Sequence, residues 1–124
     1  MSMQRYRSHD LLLQLTVSDS GDSCIFERRY DRNHSFESGL TLRAKKNGSS
    51  WFVDPSSVRF ANQVASEIGK VSADMKEIII EPDYAIIKII GKIDLLGRPF
   101  VFNAYNWIDE FPFNLGGELD LIED

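Results

Sequence analysis

The stretch from Tyr84 to Trp107 constrains the fold of this chain more than any other. It reads YAIIKIIGKID, then LLG, then RPFVFNAYNW, and Ala85, Ile87 and Ile89 fall on one side of its first arm. An apolar period of two residues is typical of a β-strand. The stretch therefore predicts a β-hairpin with a short connection between its arms, and with it a largely antiparallel sheet.

Alternating segments elsewhere predict further strands. They comprise residues 11–17, 24–30, 40–45, 51–53, 75–81 and 117–124. Asn47-Gly48 lies between two of them and predicts a tight hairpin turn, because both residues tolerate a positive φ.

One segment predicts an α-helix that begins at Pro55 and ends at Gly69. Asp54 is suited to cap the free N–H groups of a helix, and Pro55 suits its first position, where a missing donor is tolerated. The apolar residues at helical spacing are Val58, Ala61, Val64 or Ala65, and Ile68. The order of elements predicts an α+β fold, with a curved, mostly antiparallel sheet of about seven strands and one helix packed across it.

Length and composition predict one domain over residues 1–124, with residues 1–9 as a loose arm. Hydrophobic residues make up 43% of the chain and charged residues 27%. This balance is typical of globular proteins and argues against a disordered or fibrous chain. No apolar run approaches the length of a membrane span, so a cytoplasmic location is expected.

Charge is unevenly distributed along the chain. Residues 1–50 hold eight Lys/Arg and six Asp/Glu, a net of +2, whereas residues 51–124 hold six and thirteen, a net of −7. Residues 100–124 contain six acids and no base. An acidic surface repels polyanions, so nucleic acid is not an expected partner.

Residue types that carry catalysis or bind metals are scattered. His9, His34 and Cys24 have no ligand-pair spacing, so no metal and no cofactor is predicted. Cys24 alternates with Phe26 and is expected to be a small buried apolar side chain. The main cationic cluster consists of Arg28, Arg29 and Arg32, which Arg43, Lys45 and Lys46 can join from neighbouring strands. We expect these residues to make surface salt bridges; the alternative is contact with phosphates or with a carboxylate-bearing partner. The sequence contains no catalytic signature and favours a non-enzymatic protein.

The segment YNWIDEFPF places aromatic side chains beside acids on an irregular stretch. Large rigid side chains next to a charge are what a protein–protein hot spot requires. The predicted partner-binding residues are Tyr105, Trp107, Asp109, Glu110, Phe111 and Phe113. The alternative is that the aromatic residues close the end of the core while the acids face water.

The chain resembles the small bacterial α+β proteins that include immunity partners of secreted toxins. The resemblance rests on size, the lone predicted helix Pro55–Gly69, the connection Asp94-Leu95-Leu96-Gly97 and the acidic strand Gly117–Asp124. It implies an acidic binding face and an inhibitor or immunity function towards a basic protein.

Two other functions stay open from sequence. The first is a small-molecule-binding or enzymatic domain with a pocket between helix and sheet, towards which Lys88 or Asn103 would point. The second is an assembly module that forms a homo-oligomer through an edge strand such as residues 117–124.

Overall fold

The described strands of the protein form one antiparallel β-sheet that curves into a nearly closed barrel. The computed structural model describes residues 3–29, 31–60, 63–67, 69–95 and 113–122. Its strands are β1 (Gln4–Ser8), β2 (Leu13–Val17), β3 (Ser23–Arg28), β4 (Leu40–Asn47), β5 (Ser50–Val53), β6 (Arg59–Phe60), β7 (Gln63–Val64), β8 (Gly69–Ile80), β9 (Tyr84–Leu95) and β10 (Phe113–Ile122). Single turns of 3-10 helix occur at Phe36–Ser38, Pro55–Ser57 and Ala65–Glu67.

Most strands that are consecutive in sequence are also neighbours in the sheet. The sheet order is β7-β6-β4-β3-β2-β1-β10-β9-β8, with β5 also paired to β4. Because β1 pairs with β10, the first and last described strands lie side by side. Eight of the strands form a nearly closed barrel, with β5 and β8 on either side of the remaining gap.

Side chains at alternate positions of the strands fill the barrel interior. Tyr6, Leu15, Phe26 and Leu42 lie opposite one another on β1 to β4, and all four are completely buried. Burial of each such side chain stabilises the fold by roughly 1.5–3 kcal/mol. The Tyr6 hydroxyl donates a hydrogen bond of 2.7 Å to the carbonyl of Glu81, which ties the β8–β9 turn to β1.

The predicted α+β fold class is wrong, because the described residues contain no α-helix and their regular structure is almost entirely strand. The segment after Asp54 makes one 3-10 turn, in which the Asp54 carboxylate accepts a hydrogen bond from the backbone N–H of Ser56. The chain then turns back, and Arg59 in β6 pairs with Thr41 in β4. Pairing with an open strand edge outweighs the weak helix propensity of this serine- and asparagine-containing stretch.

Two apolar side chains of the predicted helix, Val58 and Val64, have described positions in the barrel, whereas Ala61 and Ile68 lie outside the described residues. Val58 is fully buried in the core, and Val64 is half-buried in β7. Val58 follows the 3-10 turn and Val64 belongs to a short strand, so these two residues do not share a helical face.

The first arm of the predicted hairpin is confirmed as β9, with Ala85, Ile87 and Ile89 buried. Its partners are β8 on one edge and, over Tyr84–Gly91, β10 on the other. The predicted second arm, residues 98–107, lies outside the described residues. The predicted hairpin is confirmed, with Gly48 at the positive φ of 65°. Its two-residue loop is Gly48-Ser49, because Asn47 ends β4 and pairs with Ser50.

Strand β10 is interior to the sheet. Leu119 and Asp120 pair with β1 on one edge and with β9 on the other. The edge-strand assembly predicted for residues 117–124 therefore has no free edge to use along these residues. Gln4–Ser8, within the predicted loose arm, likewise forms a strand with both edges paired.

Cys24 is 3% exposed, as the sequence predicts. Burial raises the pKa of its thiol to about 12, so the reactive thiolate is scarce at neutral pH. We expect a thiol-specific reagent to label the native protein far more slowly than the protein in denaturant. Equal labelling rates under the two conditions would contradict this placement of Cys24.

Candidate functional site

The gap in the barrel is the first candidate site. Strands β5 and β8 bring Cα atoms within 8 Å of each other, but β5 pairs only with β4 and β8 only with β9. Hydrogen-bonded strands lie about 4.8 Å apart, so a strand inserted between two others needs about 9.6 Å. The two strands are therefore unpaired at these points, and the gap is too narrow for an inserted strand.

Apolar side chains close the gap where backbone hydrogen bonds do not. They are Trp51 and Val53 from β5 and Met75, Ile78 and Ile80 from β8, all partly buried against the core. The inward direction of Trp51 and Val53 follows from register, because Val53 lies opposite the buried Ala44. The barrel is therefore held together here by side-chain packing.

Two open depressions lie beside the apolar side chains that close the gap. One, of about 660 Å³, is lined by Ser49–Val53 and Ala73–Ile78. The other, of about 530 Å³, continues to the β2–β3 turn at Ser18–Gly21. Ser49, Trp51 and Ile78 line both, so the two depressions are adjacent, and we call them together the seam groove.

The seam groove combines an aromatic rim with an acidic border. Phe52 is 58% exposed at its edge. Asp19, Asp74 and Glu77 line the groove together with Lys46 and Lys76, and the adjoining β8–β9 turn adds Glu81 and Asp83. Five acids and two lysines give this part of the surface a negative balance.

The second candidate site lies on the outside of the barrel. Its lining is Ile25, Glu27, Glu37, Thr41, Leu42, Arg43, Ser56, Ser57, Arg59 and Val64. We call this depression, of about 480 Å³, the outer cleft. It forms because the 3-10 turn at Pro55–Ser57 and β6 fold back beside β4, which gives a flat sheet face a raised wall.

The carboxyl of Glu27, in the outer cleft, has a raised pKa. It is half-buried on β3, and Gln14 on β2 donates it a hydrogen bond of 3.1 Å. Gln14 in turn accepts one of 3.1 Å from Arg7 Nε on β1. Burial raises the pKa of the Glu27 carboxyl and the charge of Glu37 adds to the rise, while the Gln14 hydrogen bond opposes it.

A raised pKa means that folding favours the protonated form of Glu27. Above the folded-state pKa the ionised carboxylate lowers stability, and this deficit is relieved as the pH falls towards about 4. We expect Glu27→Gln to raise the thermal unfolding midpoint at pH 7, with the difference from wild type shrinking towards pH 4. A constant difference across this range would contradict the assignment.

The predicted cluster of Arg28, Arg29 and Arg32 has a structural role. Arg29 Nε donates to the carbonyl of Leu11 at 2.7 Å, and Arg32 Nε donates to that of Asp10 at 3.2 Å. Leu11 has a left-handed backbone, with φ of 65°. The arginines thus stabilise a strained β1–β2 turn.

The side chain of Arg29 also lies over the Phe36 ring, with Cζ 4.6 Å from the ring centroid. Arg28, opposite Leu13 and Leu40, is on the inward face of the sheet, so it forms no common patch with the outward Arg43.

Both histidines pair with carboxylates at the surface. His9 lies 2.9 Å from Asp120, and His34 lies 2.6 Å from Asp31. Within the described ranges, no group of three or more His, Cys, Asp or Glu side chains could hold a metal ion. None of the described helices has the length and apolar character that a membrane crossing requires.

Most of the predicted partner-binding residues, namely Tyr105, Trp107, Asp109, Glu110 and Phe111, lie outside the described residues, as does Asn103. Phe113 begins β10 and pairs with Gly91. Lys88 is exposed on the outer face of β9, and the pocket predicted beside a helix has no α-helix to form it in the part of the chain that the structure describes.

Sequence reasoning missed both candidate sites. The dipeptide Trp51-Phe52 was visible as a short return strand, but nothing in its pattern indicates that β8 would lie beside it unpaired. The outer cleft depends on the Arg59–Thr41 pairing that the predicted helix excluded.

The described strands form an up-and-down antiparallel β-barrel in which β5 and β8 lie side by side without pairing. Comparisons of this chain with known protein families, curated proteins and solved structures find no match.

Proposed function

We propose that the protein is a non-enzymatic binding module that recognises a segment of a basic partner protein at the seam groove. The observation that carries the proposal is the unclosed barrel, where β5 and β8 face each other without pairing and Phe52 stands exposed beside them. An inhibitor or immunity function towards a basic toxin is the specific form of this proposal.

Unpaired strand edges favour a polypeptide as the occupant of the groove. Each edge presents backbone N–H and C=O groups that an extended segment can pair with, as in recognition by strand addition. Because the present spacing is below that required for an inserted strand, the partner would pair along one edge or displace β5 slightly.

The aromatic side chains of β5 fit the role of anchors. Tryptophan and other aromatic residues dominate binding energy when they sit in a groove that excludes water. Phe52 is exposed in the free protein, and the half-buried Trp51 lies between the two depressions of the groove. A partner that covers both would bury substantial apolar area at low conformational cost.

The negative balance of charges along the seam groove favours a partner with a net positive charge. The five acids and two lysines along the groove and its adjoining turn attract a segment with a net positive charge. Exposed charges act mainly on the association rate and are screened by salt. The proposed interaction should therefore weaken as the ionic strength rises.

Phe52→Ala tests the proposal because Phe52 is largely solvent-exposed and its loss should leave the fold intact. Leu11→Ala is a matched control, since Leu11 is also an exposed apolar residue, 38% exposed, in the β1–β2 turn at the opposite end of the barrel. Wild type and both variants would be used to capture partners from native lysate, and any retained protein would be purified and titrated against each.

We expect a basic partner to bind wild type and Leu11→Ala equally, and Phe52→Ala at least about tenfold more weakly, the loss of a hot-spot contact. Asp74→Asn with Glu77→Gln should slow association at low salt. A purified partner that binds Phe52→Ala as tightly as wild type would contradict recognition at the seam groove.

A further inference from the structure

We infer that the outer cleft is a binding site for a small zwitterion, one whose ammonium group contacts Glu27 and Glu37 and whose carboxylate contacts Arg43 and Arg59. Free amino acids and amino-alkanoic acids are the ligand class with this chemistry. The site lies on the outer face of β3, β4 and β6 and is independent of the seam groove.

The strand register sets opposite charges across the cleft. Glu27 lies opposite Thr41, and Thr41 lies opposite Arg59 on β6. Glu27 and Arg59 are thus two strands apart in one row, with backbones about 9.6 Å from each other. Thr41 forms the floor between them, and a short molecule with a charge at each end matches this span.

The carboxylates of the cleft have acceptor capacity to spare. The Glu27 side chain accepts one described hydrogen bond, from Gln14, whereas an ionised carboxylate offers about four acceptor positions. Glu37, exposed on the neighbouring 3-10 turn, repels it, since the charge of Glu37 contributes to the raised pKa of Glu27. An ammonium group placed between the two would remove this repulsion.

A cation on the other side of the cleft is available for a carboxylate. Arg43 is exposed on β4, diagonal to Glu27, at a distance of about 7–8 Å that long side chains can span. No ion pair within 4.0 Å joins these two described residues, because Glu27 is turned towards Gln14 on the next strand. A guanidinium group binds a carboxylate in a bidentate manner.

The size of the cleft agrees with a small ligand. Its volume of about 480 Å³ lies within the usual range for small-molecule sites, about 300–1,000 Å³. Ile25 and Val64 supply apolar lining against which the carbon chain of such a ligand can pack.

The experiment is a titration of the isotope-labelled protein, followed by NMR, with glycine and with 4-aminobutanoate as probes. Butylamine and butyrate, each with one of the two charges, are the ligand controls. We expect saturable shifts of the Ile25 and Thr41 amides with at least one zwitterion, and binding at least about tenfold weaker for the singly charged molecules.

Glu27→Gln and Arg43→Gln should each weaken zwitterion binding at least about tenfold. Lys88→Gln, which removes an exposed charge on the distant outer face of β9, should bind like wild type. The inference is overturned if folded wild-type protein gives no saturable shifts at millimolar probe, or if neither cleft substitution changes the affinity. Neither result bears on the seam groove, whose test uses Phe52.

Discussion

Gly116→Ala is expected to lower the free energy of unfolding by more than about 3 kcal/mol, and the variant is expected to be partly unfolded at 37 °C. A Cβ atom at this position would lie 2.9 Å from Cα of Lys88 and well inside contact distance of the carbonyl oxygen of Ile87. Both contacts are with backbone atoms of β9, which cannot rotate away as a side chain can.

The clash falls on the ladder that joins β10 to β9 inside the sheet. Gly116 lies opposite Lys88 within the continuous β10–β9 ladder, next to the buried Ile87. Relief of the clash requires β10 to move away from β9, which would break ladder hydrogen bonds and disturb the packing of Leu119. Circular dichroism during urea unfolding measures the loss as a lower midpoint.

Gly21→Ala is the matched control. Gly21 has a left-handed φ of 77°, but an added Cβ there would meet nothing within 4 Å. The backbone strain alone should destabilise this variant by about 1–2 kcal/mol. Equal losses in the two variants would show that close strand approach at Gly116 does not limit stability.

Trp51→Ala is expected to lower the free energy of unfolding by about 2 kcal/mol. Truncation of a fully buried Trp costs about 3–5 kcal/mol, and Trp51 is only half-buried. The local effect should be larger than this value suggests, because Trp51 packs where β5 and β8 make no backbone hydrogen bonds. Hydrogen exchange should accelerate in β5 and along β8.

Phe52→Ala separates packing at the seam from the loss of an aromatic residue. Phe52 is on the same strand but 58% exposed, so its removal should change stability by less than about 0.5 kcal/mol. If Trp51→Ala leaves exchange in β8 unchanged, another contact closes the barrel.

Local patterning predicted the strands well where one face is buried. The alternation of Leu13, Leu15 and Val17 and that of Ala85, Ile87 and Ile89 correspond to buried positions in the barrel. The hairpin turn at Gly48 could also be predicted, because hairpin turns are determined by local backbone preferences. Both the alternation and the turn depend only on residues that are close together in sequence.

The helix prediction failed because the decisive interaction is distant in sequence. Asp54 caps a turn as predicted, yet whether that turn continues depends on whether Arg59 and Phe60 find a strand edge. The edge is provided by Leu40 and Thr41 of β4, whose other neighbour along this edge, β5, pairs only from Ala44 onwards. No pattern within residues 54–69 indicates that this part of the β4 edge is available for pairing.

The candidate sites were hidden for the same reason. Glu27 is an ordinary outward residue by its pattern, and only the fold brings it into one cleft with Glu37 and Arg59. The seam groove results from the failure of β5 and β8 to pair, which no local sequence signal encodes. The partner-binding hypothesis for Tyr105 to Phe113 stays a prediction.

The pairing of β1 with β10 also determines when the fold can be completed. Tyr6 lies opposite Leu121, so this contact joins residues separated by most of the chain. Contacts of such large sequence separation slow folding. During synthesis β1 can pair with β2 but must leave its other edge open until Ile122 has emerged, and over that interval this edge is open to pairing with other chains.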